Sequence, residues 1–212
     1  TTPADKWIFS RLAGLVARVD DCFTRYEFGE ITRELYGFFW NEFCDWYIEF
    51  SKSRLSSEDA ADRLACQRNL VFVLDQALRL LHPIMPFVTE EIYQELPGEK
   101  DAKHLIVAAW PDAARLARYA DVDAERAIQL VTELVSGIRS IRARYGISPK
   151  QALSAVVKAS GADAALLEEQ RTLLQGMANL DDLAMGENAE KPTESVAVLG
   201  AGVVITGSTH II

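Results

Sequence analysis

Histidine and cysteine are scarce in this sequence, and their scarcity removes whole classes of chemistry. Cys22, Cys44 and Cys66 form an odd set at wide gaps with no C-x-x-C pair, so neither a disulfide framework nor a zinc-ribbon spacing is present. They read as small buried hydrophobes. His82, His104 and His210 lie far apart in unlike contexts, which leaves no Cys/His nucleophile pair and no histidine-based metal site. The fingerprints G-x-G-x-x-G, G-x-x-x-x-G-K-S/T and G-x-S-x-G are missing, and the chain carries no self-contained catalytic signature. No apolar run approaches the ~20 residues that span a bilayer, and no basic stretch followed by an apolar one marks a leader. Positive charge is short too: 22 Lys and Arg stand against 31 Asp and Glu, a formal net charge of −9. That balance gives no support to non-specific coating of DNA or of an anionic membrane, and any nucleic-acid site has to be a local patch. The expectation is a soluble, cytoplasmic chain with neither membrane nor DNA as partner.

What the sequence does have is helical periodicity. Its 212 residues, 49% apolar and 25% charged, suffice for one large or two small domains with a sizeable core. From Ala4 to Arg25, Ile8, Leu12, Leu15, Val16, Val19 and Phe23 recur at helical spacing. A second, central helix is expected over Phe28–Ser53, its broad apolar arc including Leu35, Phe39, Phe43, Trp46 and Phe50 as well as Tyr36, Trp40, Cys44 and Tyr47. A third starts at the capping pattern of Ser57 and reaches Leu81. His82-Pro83-Ile84-Met85-Pro86 then forces a turn, since each proline removes a donor and biases its predecessor away from the helix. Further helices are predicted over Phe87–Leu96 and Val122–Tyr145.

Beyond Gly146 and Pro149 the pattern changes. Leu153–Ala159 is β-prone, Ala162–Met177 helical, and Val196–Leu199 and Val203–Ile205 strand-like, with a polar loop over Gly186–Ser195. The fold class is therefore mainly α, with residues 1–150 a helical bundle and 151–212 a small α/β element, the boundary falling near 146–151. The appended part is acidic over residues 160–194, whereas residues 139–150 hold Arg139, Arg142, Arg144 and Lys150 and no acid. Ground for an anion lies in the helical part.

Three constellations carry chemistry. Trp7, Arg11, Arg18 and Arg25 line one edge of the first helix; an indole and guanidinium groups suit unpaired RNA, one stacking a base and the others holding phosphates. The competing reading is an exposed edge neutralised by Asp21, Glu27 and Glu30. In Ile138-Arg139-Ser140-Ile141-Arg142, Arg142 projects into the apolar stripe and must meet a carboxylate, backbone carbonyls or a bound anion. Glu42, Asp45 or Glu49 is the preferred expectation, and phosphate contact by Arg139, Arg144 and Lys150 the functional alternative. The run Phe38–Tyr47 is a core in preference to a ligand cage, with Asn41 and Asp45 one turn apart on its polar side, placed to read a base edge or to tie down loops. Catalysis by Glu42, Asp45 and Glu49 has little to support it.

Ala4-Asp5-Lys6-Trp7-Ile8-Phe9-Ser10-Arg11-Leu12, then F-F-W-N-E-F-C-D-W-Y-I-E over Phe38–Glu49, Leu81-His82-Pro83-Ile84-Met85-Pro86-Phe87-Val88-Thr89-Glu90-Glu91-Ile92, Ala109-Trp110-Pro111 and Ile138–Ala143 come one after another in order. Together they resemble the anticodon-binding region of the valyl-tRNA synthetase family of class I aminoacyl-tRNA synthetases, over roughly residues 4–150. The resemblance implies a helical bundle that binds the anticodon stem-loop of tRNA(Val), a small α/β element, and then a C-terminal coiled-coil arm that this chain does not contain. It implies tRNA contacts at Trp7, Arg11 and Arg18 and, in second rank, at Asn41, Asp45, Arg139 and Arg142. No catalytic residue and no metal ligand is expected here. Neither His-Ile-Gly-His nor Lys-Met-Ser-Lys-Ser occurs, so ATP and magnesium, which the resemblance implies for the full-length enzyme, and the editing of mischarged threonine are assigned to other domains, leaving this chain without cofactor and inactive by itself. The rival expectation is a helical packing module that positions other tRNA-binding domains of the same polypeptide. A free-standing enzyme lacks any nucleophile or metal set.

Overall fold

The first helix, α1 (Pro3–Thr24), starts on a reciprocal cap: the Asp5 amide donates to Thr2 Oγ1 at 3.2 Å and the Thr2 amide to Asp5 Oδ2 at 2.9 Å, with Pro3 in the first helical turn. Ile8, Leu12, Val16 and Val19 are fully buried along one stripe, as the periodicity requires. The computed structural model describes residues 1–186, 195–200 and 203–208, the last two segments as backbone.

The expected single helix over Phe28–Ser53 is three segments: α2 (Phe28–Tyr36), a π-helix (Gly37–Tyr47) and α3 (Ile48–Leu55). The backbone stays helical at both junctions, at Tyr36 and at Ile48. A π-helix bonds i→i+5 and occurs mostly as single turns at functional sites; here it holds the whole aromatic run. Burial follows the wider turn, with Phe38, Phe43 and Tyr47 inside and Trp40, which an α-helical projection puts in the apolar arc, 53% exposed.

Helix α4 (Ala60–Leu81) is capped by Asp59, whose carboxylate accepts from the amides of Ala61 and Asp62. The proline turn leads into α5 (Pro86–Glu95), then a 3-10 turn at Leu105–Val107, a short α6 (Ala113–Leu116) and α7 (Val122–Arg144). A buried network ties α1, the π-helix, α3 and α4 together. Asp5 accepts from the Tyr47 hydroxyl at 2.7 Å and from Arg54 at 2.9 Å, and Arg54 also donates to Asp62 at 2.8 Å. Burial pushes the Asp5 carboxyl up, but the Thr2 amide, the Tyr47 hydroxyl and Arg54 outweigh it and hold it below the usual range. Burial and the neighbouring Asp5 push the Tyr47 phenol far up.

The C-terminal part is a four-stranded sheet of order β2-β1-β4-β3, formed by β1 (Leu153–Lys158), β2 (Leu180–Met185), β3 (Ser195–Gly200) and β4 (Val203–Ser208). β1 runs parallel to β2, pairing Val157 with Met185, and antiparallel to β4, pairing Val157 with Ile205. The parallel pair needs a crossover, supplied by α8 (Gly161–Glu169) and α9 (Arg171–Ala178). The expected helix over Ala162–Met177 is thus broken at the buried Gln170. Residues 187–194 of the expected polar loop lie outside the described residues.

The chain divides into two units, Thr1–Ala124 and Glu125–Ile212. The change of sequence pattern falls near 146–151, but most of α7 groups with the sheet. Two sets of contacts explain this. Arg126 donates to both Asp163 oxygens, at 3.1 and 2.7 Å. Arg142, 5% exposed, donates to the carbonyls of Ser148, Gln151, Ala178 and Asn179 at 2.7–3.1 Å. This corrects the preferred pairing of Arg142 with Glu42, Asp45 or Glu49: backbone carbonyls satisfy it instead. Burial lowers its pKa, and no carboxylate offsets that.

Candidate nucleic-acid interface

The edge of α1 separates into a buried end and an exposed end. Trp7 is 6% exposed and meets Phe50 edge-on, ring centroids 6.0 Å apart at 78°. An indole held this way offers no open face to a base, and it belongs to the core. Arg11 is clamped by Glu42 of the π-helix through two bonds of 2.9 and 2.8 Å, a bidentate geometry that fixes its fork. Arg18 is held loosely, at 3.4 Å from both Glu34 and Asp21. Contacts that long on half-exposed side chains contribute little, so Arg18 can change acceptors cheaply. Arg25 pairs with Asp21 at 2.6 Å and Glu27 at 3.1 Å. The neutralising acids foreseen for this edge are in place at Asp21 and Glu27; Glu30 serves Arg33 instead.

Beyond Arg25 the chain turns on Tyr26, whose φ of 57° lies in the left-handed region, the cap position that ends α1, where the Glu27 amide donates to the Cys22 carbonyl at 2.9 Å and the Tyr26 amide to that of Phe23 at 3.1 Å. The turn puts Tyr26 78% and Phe28 58% into solvent. Phe28 is braced by the edges of Phe23 at 6.2 Å and Tyr26 at 6.3 Å. With Arg18, Arg25, Glu27 and Glu30 these rings line an open recess of about 600 Å³. Farther along, Tyr36 and Trp40 stack at 6.4 Å with planes 12° apart, both exposed, next to the exposed Asn41 and Asp45 of the π-helix.

Of the residues expected to touch RNA, Arg11, Arg18, Asn41 and Asp45 therefore lie on the adjoining surfaces of α1, α2 and the π-helix, joined by the Arg11–Glu42 and Arg18–Glu34 pairs. Arg139 and Arg142 belong to the other unit, Arg139 exposed and Arg142 enclosed by carbonyls. Sequence reasoning missed Tyr26, Phe28, Tyr36 and Trp40. Phe28, Tyr36 and Trp40 fall on one i+4 row, a signal masked by counting the last two as apolar arc.

Among the described residues no group of three or more His, Cys, Asp or Glu side chains is placed to hold a metal ion. Nor, among those residues, is any helix long and apolar enough to cross a membrane. The described residues form a mainly helical domain in which the exposed rings Tyr26 and Phe28 sit beside Arg18 and Arg25, a binding module in class. The chain belongs to the family described as the anticodon-binding domain of tRNA ligase, whose model matches residues 5–157. It is 37% identical over 96% of its length to the valine--tRNA ligase of Syntrophotalea carbinolica, covering 23% of that protein. It is also 38% identical over 94% of its length to the enzyme of the same name from Bacillus licheniformis and 40% over 90% to that of Lactiplantibacillus plantarum, covering 22% and 21% of them. The chain thus spans less than a quarter of these relatives.

Proposed function

We propose that this chain recognises the anticodon stem-loop of tRNA(Val) as one domain of a valine–tRNA ligase. The recess at the α1–α2 turn carries the reading: two exposed rings, Tyr26 and Phe28, stand beside Arg18 and Arg25, the combination that holds an unpaired base and its phosphate. Arg11, Asn41 and Asp45 extend the surface along the π-helix. Valine activation with ATP and magnesium, and attachment to tRNA, belong to other parts of the polypeptide, so this chain alone recognises and does not catalyse.

The test is binding of a valine anticodon hairpin, and of the same hairpin with its middle anticodon base changed, at fixed salt. Preference for the valine hairpin is expected, and Phe28→Ala weakens it by about 1–3 kcal/mol if the ring stacks a base. Equal binding of both hairpins leaves only electrostatic docking here. A second reading, a packing module for the rest of the polypeptide, is favoured by one patch: Phe87 is 90% exposed beside the exposed Ile84, Met85 and Val88. Absence of any hairpin binding supports that reading.

A further inference from the structure

The first unit holds ten arginines, and nearly all have acceptors. Glu42, Glu34, Asp21, Glu30 and Asp5 serve Arg11, Arg18, Arg25, Arg33 and Arg54; Arg63 donates to the Ser57 carbonyl, and Arg118 to the Tyr119 hydroxyl. Arg79 is locked between Asp75 and Asp101, each within 2.8 Å, and its hydrogen bond holds the Asp101 carboxyl down to about 2. Only Arg68 and Arg115 have no acceptor among the described residues. Both line one cavity of about 740 Å³, a volume within the range of small-molecule sites.

That cavity has a defined interior. Its floor is one face of α4, from Leu64 through Val71 and Phe72 to Arg79, a length of about 22 Å at the helical rise. One wall is Trp110, its orientation set by a 2.7 Å hydrogen bond from Nε1 to Asp20. Another is Tyr119, held by Phe9 at 5.3 Å and by the Arg118 guanidinium 4.8 Å from its ring centre. Flat, oriented aromatic walls with unspent guanidinium groups complement a ligand that is planar at one end and doubly anionic at the other.

We infer that this cavity binds a nucleotide, either free or as an unpaired residue of an RNA chain, with Arg68 and Arg115 on the phosphate and Trp110 or Tyr119 against the base. The site is separate from the recess at Tyr26 and Phe28 and does not depend on the function proposed for it. Free nucleotide and RNA share the chemistry, and the test separates them. Titration of the chain with AMP, followed calorimetrically, is expected to saturate with a dissociation constant below about 1 mM. Adenosine and inorganic phosphate, each with half of the ligand, bind at least about tenfold more weakly. Arg68→Gln and Arg115→Gln each raise the AMP constant about tenfold, and the double variant abolishes binding. Both side chains are exposed, so far-UV circular dichroism is expected unchanged, and Lys52→Gln on α3 serves as the silent control. A short oligoadenylate that binds wild type and loses the double variant assigns the site to RNA; AMP binding without it assigns the site to free nucleotide. No saturation by about 5 mM AMP, AMP binding untouched by the double variant, or phosphate binding as tightly as AMP overturns the inference.

Discussion

The two units each enclose an arginine, and they satisfy it in opposite ways. Arg54 in the first meets carboxylates, Asp5 at 2.9 Å and Asp62 at 2.8 Å, whereas Arg142 in the second meets four backbone carbonyls. The hydrogen bond to Asp62, first among several causes, raises the Arg54 pKa; burial alone lowers that of Arg142. A carboxylate pair joins side chains of helices whose backbones are already satisfied. A guanidinium among carbonyls instead gathers ends of backbone that have no helical partner: the turn after α7, and the end of α9 at Ala178 with Asn179 beyond it. The first arginine fastens finished elements, and the second takes the place of secondary structure where the chain changes direction.

The largest effect expected from breaking this contrast is Arg142→Met, which leaves the Gln151 and Ala178 carbonyls without a donor, those of Ser148 and Asn179 keeping the amides of Gln151 and Leu153, and destabilises the second unit by about 3–5 kcal/mol, read by chemical denaturation. Arg142→Lys recovers little of that, because an ammonium lacks the planar fork that reaches carbonyls on two sides; recovery of most of the stability by lysine would show that charge and not geometry matters there. Next comes Asp5→Ala in the first unit, expected to cost about 3 kcal/mol by leaving the Tyr47 hydroxyl without an acceptor and Arg54 with Asp62 alone. Trp7→Ala also belongs among the stability losses, at about 3 kcal/mol for a buried ring. A loss of hairpin affinity in a Trp7→Ala chain of unchanged stability would return the indole to the RNA surface.

The smallest effect is the acid response. Asp5 and Asp101 have carboxyl groups held below their ordinary range, Asp101 at about 2. A depressed native pKa contributes stability above the unfolded value of about 4, and that contribution is lost as pH falls from about 4 towards 2. Melting temperatures of the first unit should drop across that window, and Asp101→Asn should flatten the drop by about 1 kcal/mol at most, since Asp101 is half exposed and screened. The carbonyl-held Arg142 does not titrate there; any acid response of the second unit falls to Asp163 and Glu168, held down by Arg126 and Arg171, and a response that changed with Arg142→Met would break the contrast.

Long helices were legible because their apolar stripes keep to one period: α1, α4 and α7 begin and end within a few residues of expectation. β1 was legible from its β-branched run, and the strands at Ser195–Gly200 and Val203–Ser208 enclose the expected ones. β2, Leu-Asp-Asp-Leu-Ala-Met, was not, since its identity as a strand depends on pairing with β1. The π-helix escaped because a 3.6-residue period was assumed, and with it went the side on which Trp40 emerges. The site was read correctly in residue types and less well in which rings are open. Trp7 lies so close to the α1 stripe that only packing against Phe50 decides its side, and the left-handed Tyr26 has no local signature.

The π-helix also sets a phase. Everything after Tyr47 is oriented by how many residues lie between Gly37 and Tyr47, because each residue added to or removed from a continuous helix rotates the turns downstream of it. Deleting one residue there would swing Phe50 away from Trp7 and Arg54 away from Asp5, although much of the segment faces solvent. Its length is consequently less free to drift than its exposure implies, and gaps in alignments of related chains should fall before Gly37 or after Ser56 and avoid the interval itself.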